Sequence, residues 1–265
     1  MNDETATLHS GENYSGTTFS NIFAARTNLT FTRFVACTLE QVDLSGATLS
    51  GASFTRTTFD ECDLGRMDGQ GIELMTVEAS DSYLTGTNLS DSFVTSTKWR
   101  GCTGDRISID GANVREANLT DCQIRELTGS LAQIEHVSLG DVDAGRLHLS
   151  DCDITDLEAR TTLLTSGRLD GVRIDDSSLK NCDTHWMTIT SSWIDRLELD
   201  ACNTTGMVIR DTTFTNSVFS QVSWGKMACE RVAFDSCTFD EAESRAIWAM
   251  VMDGLILLRG HTNWV

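Results

Sequence analysis

The sequence predicts an all-β fold: a parallel solenoid that turns a corner every five residues and is closed at its C-terminal end by a helix. Three observations carry that reading. Stepping in fives from Phe19 to Phe239 reaches 45 positions, and 35 of them are Leu, Ile, Val, Phe or Trp. No insertion shifts this register, which is the mark of stacked structural repeats. The chain also lacks proline altogether, where about a dozen would be usual for its length. Proline deletes a backbone N–H, so its absence suits a coil whose every rung is hydrogen-bonded to the next.

Residues 1–16 form a polar lead-in, with Tyr14 as a first weak repeat. Over 17–240 each pentad has two inward positions. The centre takes a large apolar residue and the position two before it a small or branched one, as in Ala117-Asn118-Leu119-Thr120-Asp121. The remaining positions are filled by Asn, Asp, Ser, Thr, Gly, Arg and Glu, residues of turns and wet surfaces. A period of five is neither 3.6 nor 2, so neither a long helix nor a long strand accounts for it. Four pentads make a square coil of twenty residues. Residues twenty apart then lie one above another at the ~4.8 Å spacing of neighbouring strands, and eleven or so coils make a rod roughly 50–55 Å long. Leu119, Leu139 and Leu179 are expected on one wall, and Ile134, Ile154, Ile174 and Ile194 on the next.

Phenylalanine occupies centres only near the two ends, from Phe19 to Phe59 and from Phe214 to Phe239, while Leu and Ile fill the middle. Gly69, Gly104 and Gly129 leave centres empty, marking voids or places where a neighbouring side chain leans in. Eight of the nine cysteines stand two residues before a centre and Cys229 is a centre; none forms a Cys-x-x-Cys pair. That placement is expected of a small core residue, not of a metal or disulfide framework.

Residues 241–265 read as a C-terminal helix. Asp240 and Glu243 have the spacing of a capping box, and Ala246, Ile247, Met250, Val251, Gly254, Leu255 and Leu258 recur at helical intervals. Trp248, Met252 and Ile256 fall off that stripe. A helix apolar on two sides covers its own solenoid with one and a second copy of the protein with the other. Trp248, Met252 and Leu255 are the dimerisation candidates, with Leu255 alternatively facing the cap.

Several function classes are not signalled. The five histidines share no metal-ligand spacing. Cys182 and His185, the nearest approach to a nucleophile and base, point in different directions, and no glycine-rich phosphate loop precedes a helix. No catalytic residue, metal ligand or cofactor is therefore assigned. The N-terminal residues lack the apolar segment of a signal peptide, and the apolar run at 248–258 is too short to span a bilayer, so a cytoplasmic location is expected. A net charge of −19 disfavours nucleic acid or anionic membrane as a direct ligand and favours a basic protein surface. Summed by wall, that charge is uneven: −8 on the wall through Phe19, zero on the wall through Ala24, and −4 on each of the other two. The densest cluster is expected where coils bring Glu135, Asp153, Asp156, Asp175 and Asp176 together, with Asp141 and Glu158 around the corner.

Pentads such as Val42-Asp43-Leu44-Ser45-Gly46 and Thr87-Asn88-Leu89-Ser90-Asp91 resemble those of the pentapeptide-repeat family. The resemblance implies a right-handed quadrilateral β-helix. Family members of the quinolone-resistance (Qnr) type mimic DNA on type II topoisomerases, and the resemblance to their loop-free relatives implies a homodimer through C-terminal helices. It further implies a partner among DNA gyrase and topoisomerase IV and a role in antibiotic resistance, with the acidic residues above as the contact surface. The other reading is a non-catalytic scaffold for protein–protein interaction unrelated to DNA.

Overall fold

The computed structural model describes residues 8–265, in two compact units that divide between Ala132 and Gln133. Both are parallel β-solenoids with twenty residues per coil. In the first unit, Asn13–Ser15 pairs with Arg33–Val35, which pairs with Ser53–Thr55, then Glu73–Met75, then Phe93–Arg100. Tyr14, Phe34, Phe54, Leu74 and Val94 are thereby stacked in one inward column. The regular coils start earlier than residue 17, because Asn13–Ser15 is already a paired strand and Leu8 is already buried.

In the second unit, Ile134, Ile154, Ile174, Ile194 and Phe214 stand in register on one wall. Leu139, Ala159, Leu179 and Leu199 do so on the next. Most strands are only three residues long because the chain turns at once. The corners explain the period. Residues numbered with a final 1 or 6 adopt positive φ, from Asn21 at 56° to Ser236 at 57°, except Lys226, which ends the 3₁₀ turn Trp224–Lys226. At many corners this residue is third in a four-residue turn closed by a hydrogen bond, as in Ala47 N to Leu44 O at 2.9 Å around Gly46. Positive φ at the third position defines a type II turn, for which glycine is the unstrained choice.

The position two before each centre is more than a small filler. Cys and Thr here reach a carbonyl of a centre in the coil below: Cys62 Sγ to Leu39 O at 3.3 Å, Thr87 Oγ1 to Leu64 O at 2.8 Å, Cys182 Sγ to Ala159 O at 3.4 Å. Ser instead donates within its own coil, as Ser82 Oγ to Ser80 O at 2.8 Å, and accepts from Cys62 N at 3.1 Å. All nine cysteines are buried and free. Burial pushes the Cys237 and Cys229 thiols up, to about 11 and about 12, so both stay protonated at neutral pH. Where glycine leaves a centre empty, neighbours close in. Met67 Cε and Ile72 Cγ2 flank Gly69, and Ile107 Cδ1 and Leu84 crowd Gly104.

The C-terminal segment departs from the expected helix. A 3₁₀ turn at Glu241–Glu243 leads into an α-helix of only nine residues, Ser244–Met252. Gly254 at φ 70° ends it, with Gly254 N on Val251 O and Leu255 N on Met250 O. That left-handed glycine is a helix-stop signal the apolar stripe conceals. Two strands follow, Ile256–Arg259 and Asn263–Trp264, paired with Val232–Asp235 and Thr238–Phe239. Ile256 is therefore buried beside Val232 rather than set on an outer helical side. The helix is an insertion within one more coil. Nor does the capping box form. Asp240 accepts from Gln221 N and Glu243 Oε2 from Trp224 N at 3.1 Å, so both carboxylates cap the coil beneath. Trp224 is buried among Phe219, Phe234 and Phe239, with ring centroids at 5.0–5.4 Å.

Candidate interaction surfaces

The acidic residues singled out above lie in the second unit, on two walls and the corners between them. Glu135, Thr155, Asp175 and Asp195 form one vertical column by strand register. Asp153 stands in register with Arg173, whose guanidinium lies 4.7 Å from the centre of the Trp193 ring. Glu158 is exposed on the adjoining wall, in register between Ser138 and Ser178, and Arg160 reaches it at 4.0 Å. Asp141 is exposed at a corner with φ 54°. Asp156 and Asp176 are corner residues twenty apart, at φ 53° and 49°.

That corner column is where the structure adds what the acidic pattern omits. Below Asp156 stands His136, and above Asp176 stands Arg196. His136 Nδ1 is 2.6 Å from Asp156 and its Nε2 is 3.4 Å from Glu135. Arg196 grips three carboxylates: Asp175 at 2.6 Å, and Asp176 and Asp195 in close ion pairs. Its hydrogen bonds hold Asp176 below the usual carboxylate range. Asp195 is almost completely buried. Burial raises its pKa, but donors from Thr215 Oγ1 at 2.5 Å and Asn216 Nδ2 at 2.9 Å, with the Arg196 charge, bring it below the ordinary value. The Arg196 charge thus relieves the stacked carboxylates around it, as a buried or crowded charge requires, and His136 bonds the carboxylates at the other end of the corner column. Stepping twenty residues beyond each end of the Asp156–Asp176 pair would have found both bases.

A second surface is apolar and lies on the last coil. Trp248 is 50% exposed and Met252 83%. Leu255 is half-buried, and its carbonyl accepts from Val232 N at 3.2 Å, so it serves the cap. Two further apolar residues of this last coil are exposed: Leu257 at 48% and Val265 at 72%. Trp264 stacks on Trp248 at 6.3 Å. Their omission follows from reading 241–265 as helix throughout, which hid the strand alternation.

The model of the pentapeptide repeats matches eight copies at residues 27–66. Those residues are pentapeptide repeats. The same pentads continue in phase through Phe239. No curated protein matches the sequence. Among solved structures, HetL, a pentapeptide-repeat protein involved in heterocyst differentiation regulation in Nostoc sp. strain PCC 7120, superposes with TM-score 0.62 at 18% identity, covering 78% of this chain and 91% of its own. The alginate lyase AlyF-OU02 superposes with TM-score 0.56 at 11% identity, covering 99% and 81%. QnrB1, a plasmid-mediated fluoroquinolone resistance protein, gives TM-score 0.43 at 11% identity, covering 70% and 92%. At these identities the likeness to HetL and to the lyase is one of solenoid fold. No helix among the described residues is long and apolar enough to cross a membrane.

Proposed function

We propose that this pentapeptide-repeat solenoid is a non-catalytic DNA mimic that binds a type II topoisomerase, DNA gyrase or topoisomerase IV, in the place of duplex DNA. The observation that carries the reading is the acidic surface of the second unit, where carboxylates repeat at strand spacing along walls free of projecting loops. Duplex DNA offers its partners a comparable lattice of rung-spaced negative charge. The whole-chain charge of −19 adds long-range attraction to a basic groove. In this reading the apolar patch of Trp248, Met252, Leu257 and Val265 joins two copies, and binding alters the response of the topoisomerase to an antibiotic that targets it. A gyrase supercoiling assay titrated with the protein, with and without a quinolone, is the test. The reading expects a dose-dependent change in supercoiling or in quinolone-stabilised cleavage that excess duplex DNA reverses. No change in either quantity at micromolar protein refutes it.

A scaffold for a partner unrelated to DNA is the second reading, and the Arg196 clamp is what favours it. A surface that neutralises its own densest carboxylates is tuned for stability as much as for a basic partner. Gyrase binding that duplex DNA fails to displace would support the scaffold.

A further inference from the structure

The interior of the second unit is not filled. A cavity of about 80 Å³ runs among the inward side chains between Leu147 and Met227. Its walls are the centres described above, including Leu169, Ile174, Ile194 and Leu199. The reason lies in the sequence. Between the phenylalanine-rich ends, centres shrink to Leu and Ile, and to Ala159 and Thr184 in successive coils. Ala159 stands in register between Leu139 and Leu179, so the column loses most of a side chain there. Leu179 consequently keeps accessible surface although it points inward. Above the cavity Phe214 and Phe219 close the lumen, and the aromatic cluster around Trp224 seals it.

Water does not suit this space. It has room for more than one molecule, but a buried water needs two to four polar partners. Only two lining residues carry a hydroxyl. Ser177 Oγ donates to Asp175 O at 3.0 Å and accepts from Leu157 N at 3.1 Å. Thr184 Oγ1 donates to Asn203 O at 3.0 Å. Both hydroxyls are committed to the backbone, so the walls present methyl and methylene groups. An apolar cavity of about 150 Å³ stays dry and takes up benzene or xenon; one near half that volume admits smaller guests. Contact with such a guest recovers dispersion energy that the lining forfeits while the space is empty.

We propose that the lumen of the second unit is a binding site for a small, uncharged, apolar molecule of about the size of a xenon atom. The site is independent of the acidic surface and of the reading given above for it. The guest class is set by the walls: no charge is present to hold an ion and no open donor to hold a polar molecule.

Xenon itself is the probe. Crystals of the full-length protein pressurised with xenon should show an atom between Leu169, Ile174 and Leu199, and the xenon-129 resonance in solution should shift saturably with protein. The substitution Ile194→Phe fills the space without a new kind of contact, since Phe214 is the in-register neighbour and Phe34–Phe54 and Phe214–Phe234 already stack at 4.6 and 5.1 Å. I194F should abolish the saturable shift and raise the thermal midpoint by a few degrees. Xenon absent from the lumen of the wild-type crystal overturns the proposal, whether or not I194F folds. So does an undiminished saturable shift in a folded I194F protein.

Discussion

At the scale of the residue, the defining demand is on the corners. Left-handed backbone costs a non-glycine residue roughly 1–2 kcal/mol, and more for a β-branched one. Ten glycines between Gly11 and Gly206 stand at corners with positive φ and meet that demand at no steric cost. Their numbers all end in 1 or 6, a pattern present in the sequence and sufficient to place every turn. Thr161, at φ 49° and exposed, is among the most strained corners. Asparagine tolerates this conformation, so Thr161→Asn should stabilise the protein by about 1 kcal/mol in urea unfolding. The Arg196 clamp makes a different, pH-dependent contribution. Asp176 and Asp195 have folded pKa values below their unfolded ones. Their stabilisation is therefore complete above the ordinary carboxylate range near pH ~4 and is lost as the pH falls through the depressed values. Arg196→Gln should lower the thermal midpoint at pH 7, and the gap from wild type should close as the pH is taken below 4. A gap that persists unchanged at pH 2 would show that Arg196 acts through packing alone.

Elements show where periodicity is decisive and where it misleads. The column of Ile134, Ile154, Ile174 and Ile194 was legible because a solenoid converts sequence spacing directly into vertical stacking. The C-terminal segment was not, because two signals overlap there. Apolar residues at helical spacing continue past Met252, while Asp253-Gly254 stops the helix and strand pairing resumes with the partners twenty-four residues apart instead of twenty. Asp240 and Glu243 illustrate the same competition. The spacing suits a capping box, yet the orphan N–H groups of Gln221 and Trp224 in the coil below take both carboxylates. Replacing Glu243 with Gln should be nearly neutral, whereas Glu243→Ala should destabilise by about 1 kcal/mol, since it strands a half-buried donor. Chemical denaturation of the two variants side by side checks this. On the outer side of the cap, Trp248→Asp with Met252→Asp should convert a dimer to a monomer in light scattering. A wild type already monomeric at micromolar concentration removes the dimer from the proposal.

For the whole molecule, net charge was readable from composition but the distribution of compensated charge was not. Acids could be counted along each wall, whereas their pairing with His136 and Arg196 depends on which corner side chains reach along a column. This bears on the proposed partner. If the acidic surface meets a basic groove, affinity should fall steeply between 50 and 200 mM salt, roughly as for DNA itself. Reversal of Asp156, Asp175 and Asp176 to Lys should abolish gyrase binding, with circular dichroism reporting whether the coils persist. Arg196→Gln should instead strengthen binding in a folded protein, since it uncovers three carboxylates. Unchanged affinity in both would move the contact surface elsewhere.

Up to Phe239 the offset between hydrogen-bonded neighbours is twenty residues, which has a consequence for how such a gene can change. Duplicating sixty in-frame nucleotides within one unit adds a coil whose centres, corners and slots all find equivalent partners. Adding fifteen nucleotides keeps every centre facing inward but moves all later residues round by one wall, so each column is broken and rejoined to a different one. Within the regular coils, an in-frame change that is not a multiple of five residues turns core residues outward. Length within the regular coils is thus quantised: tolerant of whole-coil gain or loss and sensitive to quarter-coil changes in the surface pattern. Tandem duplication of codons 169–188, inside the second unit, should give a folded protein, while duplication of codons 169–170 should not.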